Sequence, residues 1–131
     1  MYSVHRDKDL IQVFVYGKLD EKELFDAQMH LMIQPDYLHK NSIWIFDETF
    51  DSDYSETKEL ELINQIKRYF PTGATKKKAA LLTKSSKHFP MMQTFSEKAK
   101  KEGVQFTFKA FKRYKEAMDW LTGVLVLGWF C

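Results

Sequence analysis

The strongest constraint on the fold is that short apolar runs alternate along the chain with segments of helical spacing. These runs are rich in β-branched and aromatic residues, as strands of a covered sheet tend to be. They lie at 2–5, 10–16, 42–46, 78–83 and, as alternating apolar and polar residues, at 104–108. Because strands separated by helices are joined by right-handed crossovers, the pattern predicts a largely parallel sheet that begins with an antiparallel hairpin.

Residues that start and stop helices lie between these runs. Asp20 is placed to cap a first helix, with Glu21 and Glu23 in its first turn, and Pro35 should end that helix by Gln34. Later helices are expected after Ser55 or Thr57, after Ser86 and Pro90, and from Tyr114, with ends before Pro71, at Gly103 and near Gly123. The predicted order of elements is therefore ββαβαβαβα.

Apolar residues at helical spacing indicate which helix faces are buried. The predicted buried positions are Leu60, Ile63, Ile66 and Phe70 in the second helix and Met92, Phe95 and Ala99 in the third. In the strand that follows, Val104, Phe106 and Phe108 should share one apolar face.

These elements predict one α/β domain over residues 1–131. A chain of 131 residues has the usual length of a single domain. We expect a mixed, mostly parallel sheet of about five strands with about four helices. The domain core should cover residues 2–122, and residues 123–131 form an apolar C-terminal tail.

The residue types that build common metal and catalytic centres are sparse or scattered. Cys131 is the single cysteine, and the four histidines fall on four different predicted elements, so no metal site is expected. No Gly-x-Ser-x-Gly elbow and no glycine-rich nucleotide loop is present. Asp47 and Glu48 are a carboxylate pair, but acid/base catalysis by such a pair requires a closed pocket. The sequence therefore predicts no catalytic residue, no cofactor and no enzymatic activity.

Charge is divided unevenly between the two halves of the chain. Residues 1–65 contain 6 Lys and Arg against 14 Asp and Glu, and residues 66–131 contain 14 against 4. Such a division can give a basic face for an anionic partner, or the charges can interleave on one compact domain. Basic and aromatic residues alternate at 101–114, but the phenylalanines there are better explained as core residues. Nucleic-acid binding is therefore not predicted.

The acidic segment 47–55 follows the carboxyl end of a predicted parallel strand, where α/β domains place ligands. Asp47, Ser52, Ser55 and Thr57 are the candidate residues of a switch or ligand loop there. A phosphate on a hydroxyl beside the next helix N-terminus would be stabilised by backbone N–H groups and the helix dipole, and repelled by the neighbouring acids. The simpler interpretation is that Ser55 or Thr57 caps the helix.

The apolar tail allows two interpretations. Val124 to Phe130 can pack back on the sheet as a strand or cover, or Leu127, Trp129 and Phe130 can contact a partner or a membrane surface. Residues 121–131 are too few to span a bilayer, and residues 1–10 have no apolar signal core. A soluble, cytoplasmic protein is expected.

Several local stretches, taken with the element order, resemble the STAS or SpoIIAA-like domains of sulfate transporters and anti-sigma-factor antagonists. The matching stretches are 15–20 (VYGKLD), 43–47 (IWIFD), 79–83 (AALLT), Phe108 with Phe111, and 116–121 (EAMDWL). The resemblance spans about residues 2–122 and implies a SpoIIAA-like fold and a non-enzymatic bacterial regulatory domain. In the antagonist branch, a serine in an Asp-Ser-Ser-Gly-like stretch after the central strand is a phosphorylation switch. Here a longer acidic loop replaces that stretch, and Ser52 and Ser55 are the candidates by position.

The resemblance implies a function in binding. We expect a STAS-like protein that binds a protein partner or a small ligand in a regulatory capacity, and formation of a homodimer stays open. The alternative is a module that binds an apolar ligand or a lipid surface through the basic C-terminal half and the apolar tail. Contact with a membrane surface is the less favoured of these hypotheses.

Overall fold

The structure, a computed structural model, describes residues 1–37, 39–52, 56–69 and 77–123. The strands are β1 (Tyr2–Arg6), β2 (Leu10–Val15), β3 (Lys18–Leu19), β4 (Asn41–Phe46), β5 (Asp51–Ser52), β6 (Lys78–Thr83) and β7 (Thr107–Phe111). The helices are α1 (Glu21–Met32), α2 (Glu56–Tyr69), α3 (Phe89–Lys101) and α4 (Tyr114–Thr122). No helix in these ranges is both long enough and apolar enough to cross a bilayer.

Five strands form one mixed sheet in the order β1-β2-β4-β6-β7, and β3 pairs with β5 separately. The β1–β2 hairpin is antiparallel, whereas β2, β4, β6 and β7 pair in parallel. The predicted α/β class, the mostly parallel sheet and the order of the main elements are confirmed. The added feature is the short β3–β5 pair, which joins Lys18 to Asp51 and Leu19 to Ser52.

The parallel strands are added in one direction along the sheet, and this explains where the helices lie. Right-handed crossovers that all move the same way place their helices on the same face. Accordingly α1, α2 and α3 bury Ala27, Ile63 and Phe95 in one core cluster with Trp44. We call this side of the sheet the three-helix face. The opposite side, the α4 face, buries residues of β4 and β6 against α4.

The sheet register aligns the core side chains in rows. Val13, Trp44, Leu81 and Ala110 occupy matching positions on four neighbouring strands and point to the three-helix face. Side chains at adjacent positions, such as Ile43, point to the α4 face. Covered on both faces, β4 and β6 are almost continuously apolar, as the sequence of the two strands indicated.

The strand predicted at 104–108 begins later than expected. The backbone N–H of Val104 donates to the carbonyl of Ala99, so the chain is still turning away from α3 there. The strand β7 starts at Thr107 and runs to Phe111. Phe106 is nevertheless buried in the core, because the turn that carries it lies against the three-helix face. The predicted core residue is correct although the strand boundary moves.

The first helix is capped as the sequence predicts. Asp20 accepts a hydrogen bond from the backbone N–H of Glu23 at 2.8 Å. Substitution Asp20→Ala is expected to lower the free energy of unfolding by about 1 kcal/mol, because it leaves that N–H without its cap. Urea denaturation measures the change. Asp20→Asn is the matched control, since its amide oxygen can also accept the bond, and an equal loss in both variants would contradict the capping role.

Candidate functional site

An apolar cavity of about 80 Å³ lies on the three-helix face. Strands β4, β6 and β7 supply its floor, helices α1, α2 and α3 its walls, and the loop after β4 closes one side. The apolar lining consists of Leu24, Trp44, Phe46, Phe50, Leu62, Leu81, Met91, Met92, Phe95 and Phe108. Two buried polar side chains, Gln28 and His88, interrupt it. We call this feature the aromatic cavity.

A continuous row of rings forms one side of the aromatic cavity. The ring centres of Trp44 and Phe46 are 6.1 Å apart, and those of Phe46 and Phe50 are 4.8 Å apart. His88 continues the row, with its ring centre 5.1 Å from that of Phe50. Trp44 and Phe46 lie on the same face because they are two residues apart on a strand. The row therefore runs from the middle of the sheet to the carboxyl ends of the parallel strands.

A small hydrogen-bonded loop holds Phe50 in this row. The Asp47 carboxylate accepts from the backbone N–H of Thr49 at 2.8 Å and from its hydroxyl at 2.6 Å. The hydroxyl oxygen of Thr49 in turn accepts from the N–H of Gly17 at 2.8 Å, and Asp51 N–H donates to the Gly17 carbonyl. Gly17 has a φ of 75°, which favours glycine at this turn. These bonds fix the loop to the end of β2 and turn Phe50 inward.

The polar end of the row is His88, which is 8% exposed. Its Nε2 is 3.8 Å from Asp51 Oδ1, and Lys87 Nζ is 3.9 Å from the same oxygen. No hydrogen-bond partner for His88 Nδ1 lies within the described ranges. A buried ring nitrogen without a partner is uncommon in folded proteins. The cavity thus combines a large apolar surface with a polar group that has capacity for one more bond.

The chemistry of this lining suits a small, mainly apolar molecule. Ligand sites are typically apolar clefts with a few placed polar groups, and in open α/β sheets they lie near the carboxyl ends of the strands. A volume of 80 Å³ is several times the roughly 10–15 Å³ that a cavity needs in order to hold one water molecule. A short aliphatic chain fits such a space, with its polar end toward His88 or Gln28.

A second cluster of titratable side chains surrounds Lys77, just before the amino end of β6. Lys77 is 5% exposed, and its ammonium donates to the carbonyl of Lys40 and to Ser42 Oγ, 3.1 Å away. The same Nζ lies 4.2 Å from the centre of the Tyr37 ring. Asp36 is near enough to act on this charge, and it forms an ion pair of 2.7 Å with Lys40.

Burial changes the ionisation of this cluster. It lowers the pKa of Lys77 to about 7, against a smaller opposing effect of the Asp36 carboxylate. Burial also raises the pKa of the Tyr37 hydroxyl above its usual range. The hydrogen bond from Lys40 lowers the pKa of Asp36. Lys77 therefore gains or loses its charge near neutral pH, at the opposite end of the sheet from the aromatic cavity.

The predicted switch residues have different outcomes. Asp47 lies beside the aromatic cavity, but its carboxylate organises the loop through Thr49. The backbone of Ser52 is in β5 and that of Thr57 is in the first turn of α2, while both side chains lie outside the described part of the structure. Ser55 lies outside the described residues altogether. The switch role of these hydroxyls stays a prediction.

The tail residues Leu127, Trp129 and Phe130 also lie outside the described residues, so their predicted contact with a partner or membrane is untested. Asp47 and Glu48 are both exposed. The pair is therefore not enclosed in the closed pocket that acid/base catalysis by two carboxylates requires. Within the described ranges, no group of three or more His, Cys, Asp or Glu side chains is arranged to hold a metal ion.

The sequence did not single out Phe50, His88 or Lys77. Phe50 had a detectable signal, since it is the only apolar residue between Asp47 and Asp53 in an otherwise polar loop. The sequence contains no comparable signal for His88, because its neighbours Phe50 and Asp51 are distant in sequence. Lys77 lies within the basic run Lys76 to Lys78, which is typical of a solvated loop, yet its side chain is buried.

Comparison with known proteins identifies the fold. No protein-family model matches the sequence, and no curated protein matches it. The structure is similar to an uncharacterized DUF3478-family protein with a SpoIIAA-like fold from Shewanella loihica PV-4, at 15% identity over 92% of each chain and a TM-score of 0.53. It also matches the anti-sigma factor antagonist SpoIIAA in its unphosphorylated form, at 14% identity over 94% of this chain and 99% of that one, with a TM-score of 0.48. The similarity to the DUF3478-family structure shows that the chain has the SpoIIAA-like fold expected from the sequence.

Proposed function

We propose that this chain, a SpoIIAA-like fold with an aromatic cavity, is a non-enzymatic binding protein that holds a small apolar molecule in a regulatory capacity. The observation that carries the proposal is the cavity itself, lined by side chains from three strands and three helices. Elements of regular structure hold a binding site more rigidly than loops do. The cavity also lies at the end of the sheet where α/β domains bind ligands.

The lining supports one class of ligand. Trp44, Phe46 and Phe95 offer apolar surface, and the polar side chains of the described lining are His88 and Gln28. The Asp51 carboxylate is 3.8 Å from the His88 ring and would repel an anionic group placed beside that ring. The preferred ligand is a neutral molecule with a short aliphatic chain and one hydrogen-bonding group, such as an alkanol.

The regulatory part of the proposal rests on a direct connection along the chain between the cavity lining and the protein surface. Phe50 lines the cavity, and the next residue, Asp51, is exposed and pairs with Lys18 through the β3–β5 pair. A ligand that shifts the Phe50 ring therefore changes a surface that a partner can contact. In this proposal the bound molecule controls access to that surface.

Binding of 1-hexanol, observed through carbon-13 labelled methionine methyl groups, tests the proposal. Met91 and Met92 line the cavity, whereas Met29 and Met118 do not, so all four report within one spectrum. Saturable shifts are expected at Met91 and Met92 only. Because burying one CH₂ contributes about 0.8 kcal/mol, affinity should rise about fourfold per carbon from 1-butanol to 1-hexanol. Equal shifts at all four methionines, or shifts that never saturate, would refute the proposal.

A substitution at the cavity separates specific binding from general solvation. Met91 is partly buried at the cavity, and Met91→Trp should fill the space of about two CH₂ groups and weaken 1-hexanol binding about fifteenfold. Met29→Trp is the matched control, since Met29 is also a partly buried helical residue but lies outside the lining. An equal loss of affinity in both variants would show that the alcohol binds elsewhere.

A further inference from the structure

Within the described residues, the outer side of β7 is a sheet edge without a paired strand. Among the described strands, β7 pairs with β6 alone. The N–H of Thr107 donates to the carbonyl of Lys77, toward β6. Because the backbone groups of successive strand residues point to alternate sides, those of Phe108 and Ala110 point away from β6. Two residues of β7 therefore offer N–H and C=O groups to an additional strand.

A groove of about 430 Å³ runs beside this edge, between β7 and α3. Its apolar surface comes from Val104, Phe106, Phe108 and Ala110, and its helical rim from Gln93, Ser96, Glu97 and Lys100. A free edge strand next to a helix is the geometry by which several domains bind extended peptides as an added strand. The groove can receive the side chains of such a strand on the three-helix face.

The charges near this edge are mainly positive. Lys100 is on the rim of the groove, and Lys109 points to the other face of β7, followed by Lys112 and Arg113. The nearby acids are Glu97 and Glu116, and Glu116 is 3.7 Å from Arg113. An added strand would place one set of side chains over the apolar groove and the alternate set near Lys109.

We propose that the outer edge of β7 binds an extended acidic segment of a protein partner, in which apolar and acidic residues alternate. Backbone bonds to Phe108 and Ala110 hold the segment, the groove accepts its apolar side chains, and Lys109 attracts its carboxylates. A second copy of this chain fits less well, because pairing two β7 strands about a two-fold axis brings their Lys109 side chains together. The site is separate from the lining of the aromatic cavity except for Phe108.

A fluorescein-labelled peptide of alternating glutamate and valine is the probe, and fluorescence anisotropy with the full chain measures its binding. We expect saturable binding that weakens as salt is added. Two further peptides carry N-methyl groups, one on all valine amides and the other on all glutamate amides. Only one set of amides faces β7 in an added strand, so one methylated peptide should bind at least about tenfold more weakly while the other binds normally. The peptide that fails also reveals the strand direction.

Charge reversal on the protein gives a second readout. Lys109→Glu should weaken binding of the unmodified peptide about tenfold. Lys115→Glu is the matched control, because it makes the same change in net charge at an exposed site on α4. Lysines on edge strands also prevent edge-to-edge aggregation. The proposal is wrong if the peptide does not bind, if both methylated peptides bind alike, or if the two charge reversals have equal effects. In each of these cases Lys109 only prevents aggregation at the sheet edge.

Discussion

Substitution Lys77→Met is expected to stabilise the protein by about 3 kcal/mol at pH 6 and to have almost no effect at pH 9. The reason is that the native fold buries this amine while an unfolded chain leaves it in water. Burial lowers the pKa of Lys77 from 10.5 to about 7. Since one pKa unit corresponds to about 1.4 kcal/mol, the charged form costs the fold up to about 5 kcal/mol.

The stability gained by Lys77→Met is smaller than the cost of burying the charged amine, because methionine cannot replace the contacts of the ammonium. The carbonyl of Lys40 and the hydroxyl of Ser42 lose their donor, and the Tyr37 ring loses a cation at 4.2 Å. Together these losses amount to about 1–3 kcal/mol. Methionine has a similar length and a flexible side chain, so it can occupy the same space without overpacking.

The direction of the pH dependence follows from proton binding. Below pH 7 both the folded and the unfolded states hold the Lys77 proton, so the fold bears the full free-energy cost of burying the charged amine. Between pH 7 and 10.5 the unfolded chain binds more protons than the fold, and stability rises with pH. Above pH 10 the raised pKa of Tyr37 has the opposite effect, because the unfolded tyrosine ionises first. The window from pH 6 to 9 therefore isolates Lys77.

Urea denaturation at several pH values in this window measures the difference between variant and parent. The difference should shrink by about 1.4 kcal/mol for each pH unit between 7 and 9. Lys84→Met is the matched control, since Lys84 is exposed just beyond β6 and its removal should change stability equally at every pH. If the Lys77→Met difference is constant with pH, Lys77 keeps an ordinary pKa in the fold.

The fold could be predicted because its information is local in sequence. The strand at Lys78–Thr83 has the predicted boundaries, and Asp20 caps α1 as expected. The glycines at 103 and 123 both have positive φ, as helix-ending glycines require. Periodicity and capping depend on residues within a few positions of one another. They were sufficient for the element order and, through the handedness of crossovers, for the mostly parallel sheet.

The face of α2 shows where local patterns become insufficient. The spacing predicted Leu60 as a buried residue, but it is 38% exposed, and Glu59 is buried in its place with Ile63 and Ile66. A glutamate on a buried helix face is stable only where it has partners, and Lys98, which forms an ion pair with Glu59, lies on α3. The aromatic cavity and the environment of Lys77 were missed for the same reason. Each depends on neighbours from elements that are distant in sequence.

Substitution Lys98→Met is expected to lower the free energy of unfolding by about 2 kcal/mol, since it removes a cation from a buried carboxylate. Lys98 Nζ is 3.3 Å from Glu59 Oε1, and the Glu59 side chain is only 5% exposed. Glu59→Leu should lower the free energy of unfolding by much less, because the Lys98 side chain is 30% exposed and its ammonium can turn to water. Lys101→Met, at an exposed site on the same helix, is the matched control and should be neutral.

The double variant Glu59→Leu, Lys98→Met completes the cycle and connects this ion pair to the aromatic cavity. It should regain most of the stability lost in Lys98→Met, because no buried charge remains. Leu62 and Phe95, each one turn from the pair, line the cavity, so the single variant should also bind 1-hexanol more weakly and the double variant should restore binding. If stability recovers but 1-hexanol binding does not, the pair positions α2 against α3 for the ligand. If Lys98→Met is as stable as the parent, the pair contributes nothing to the fold.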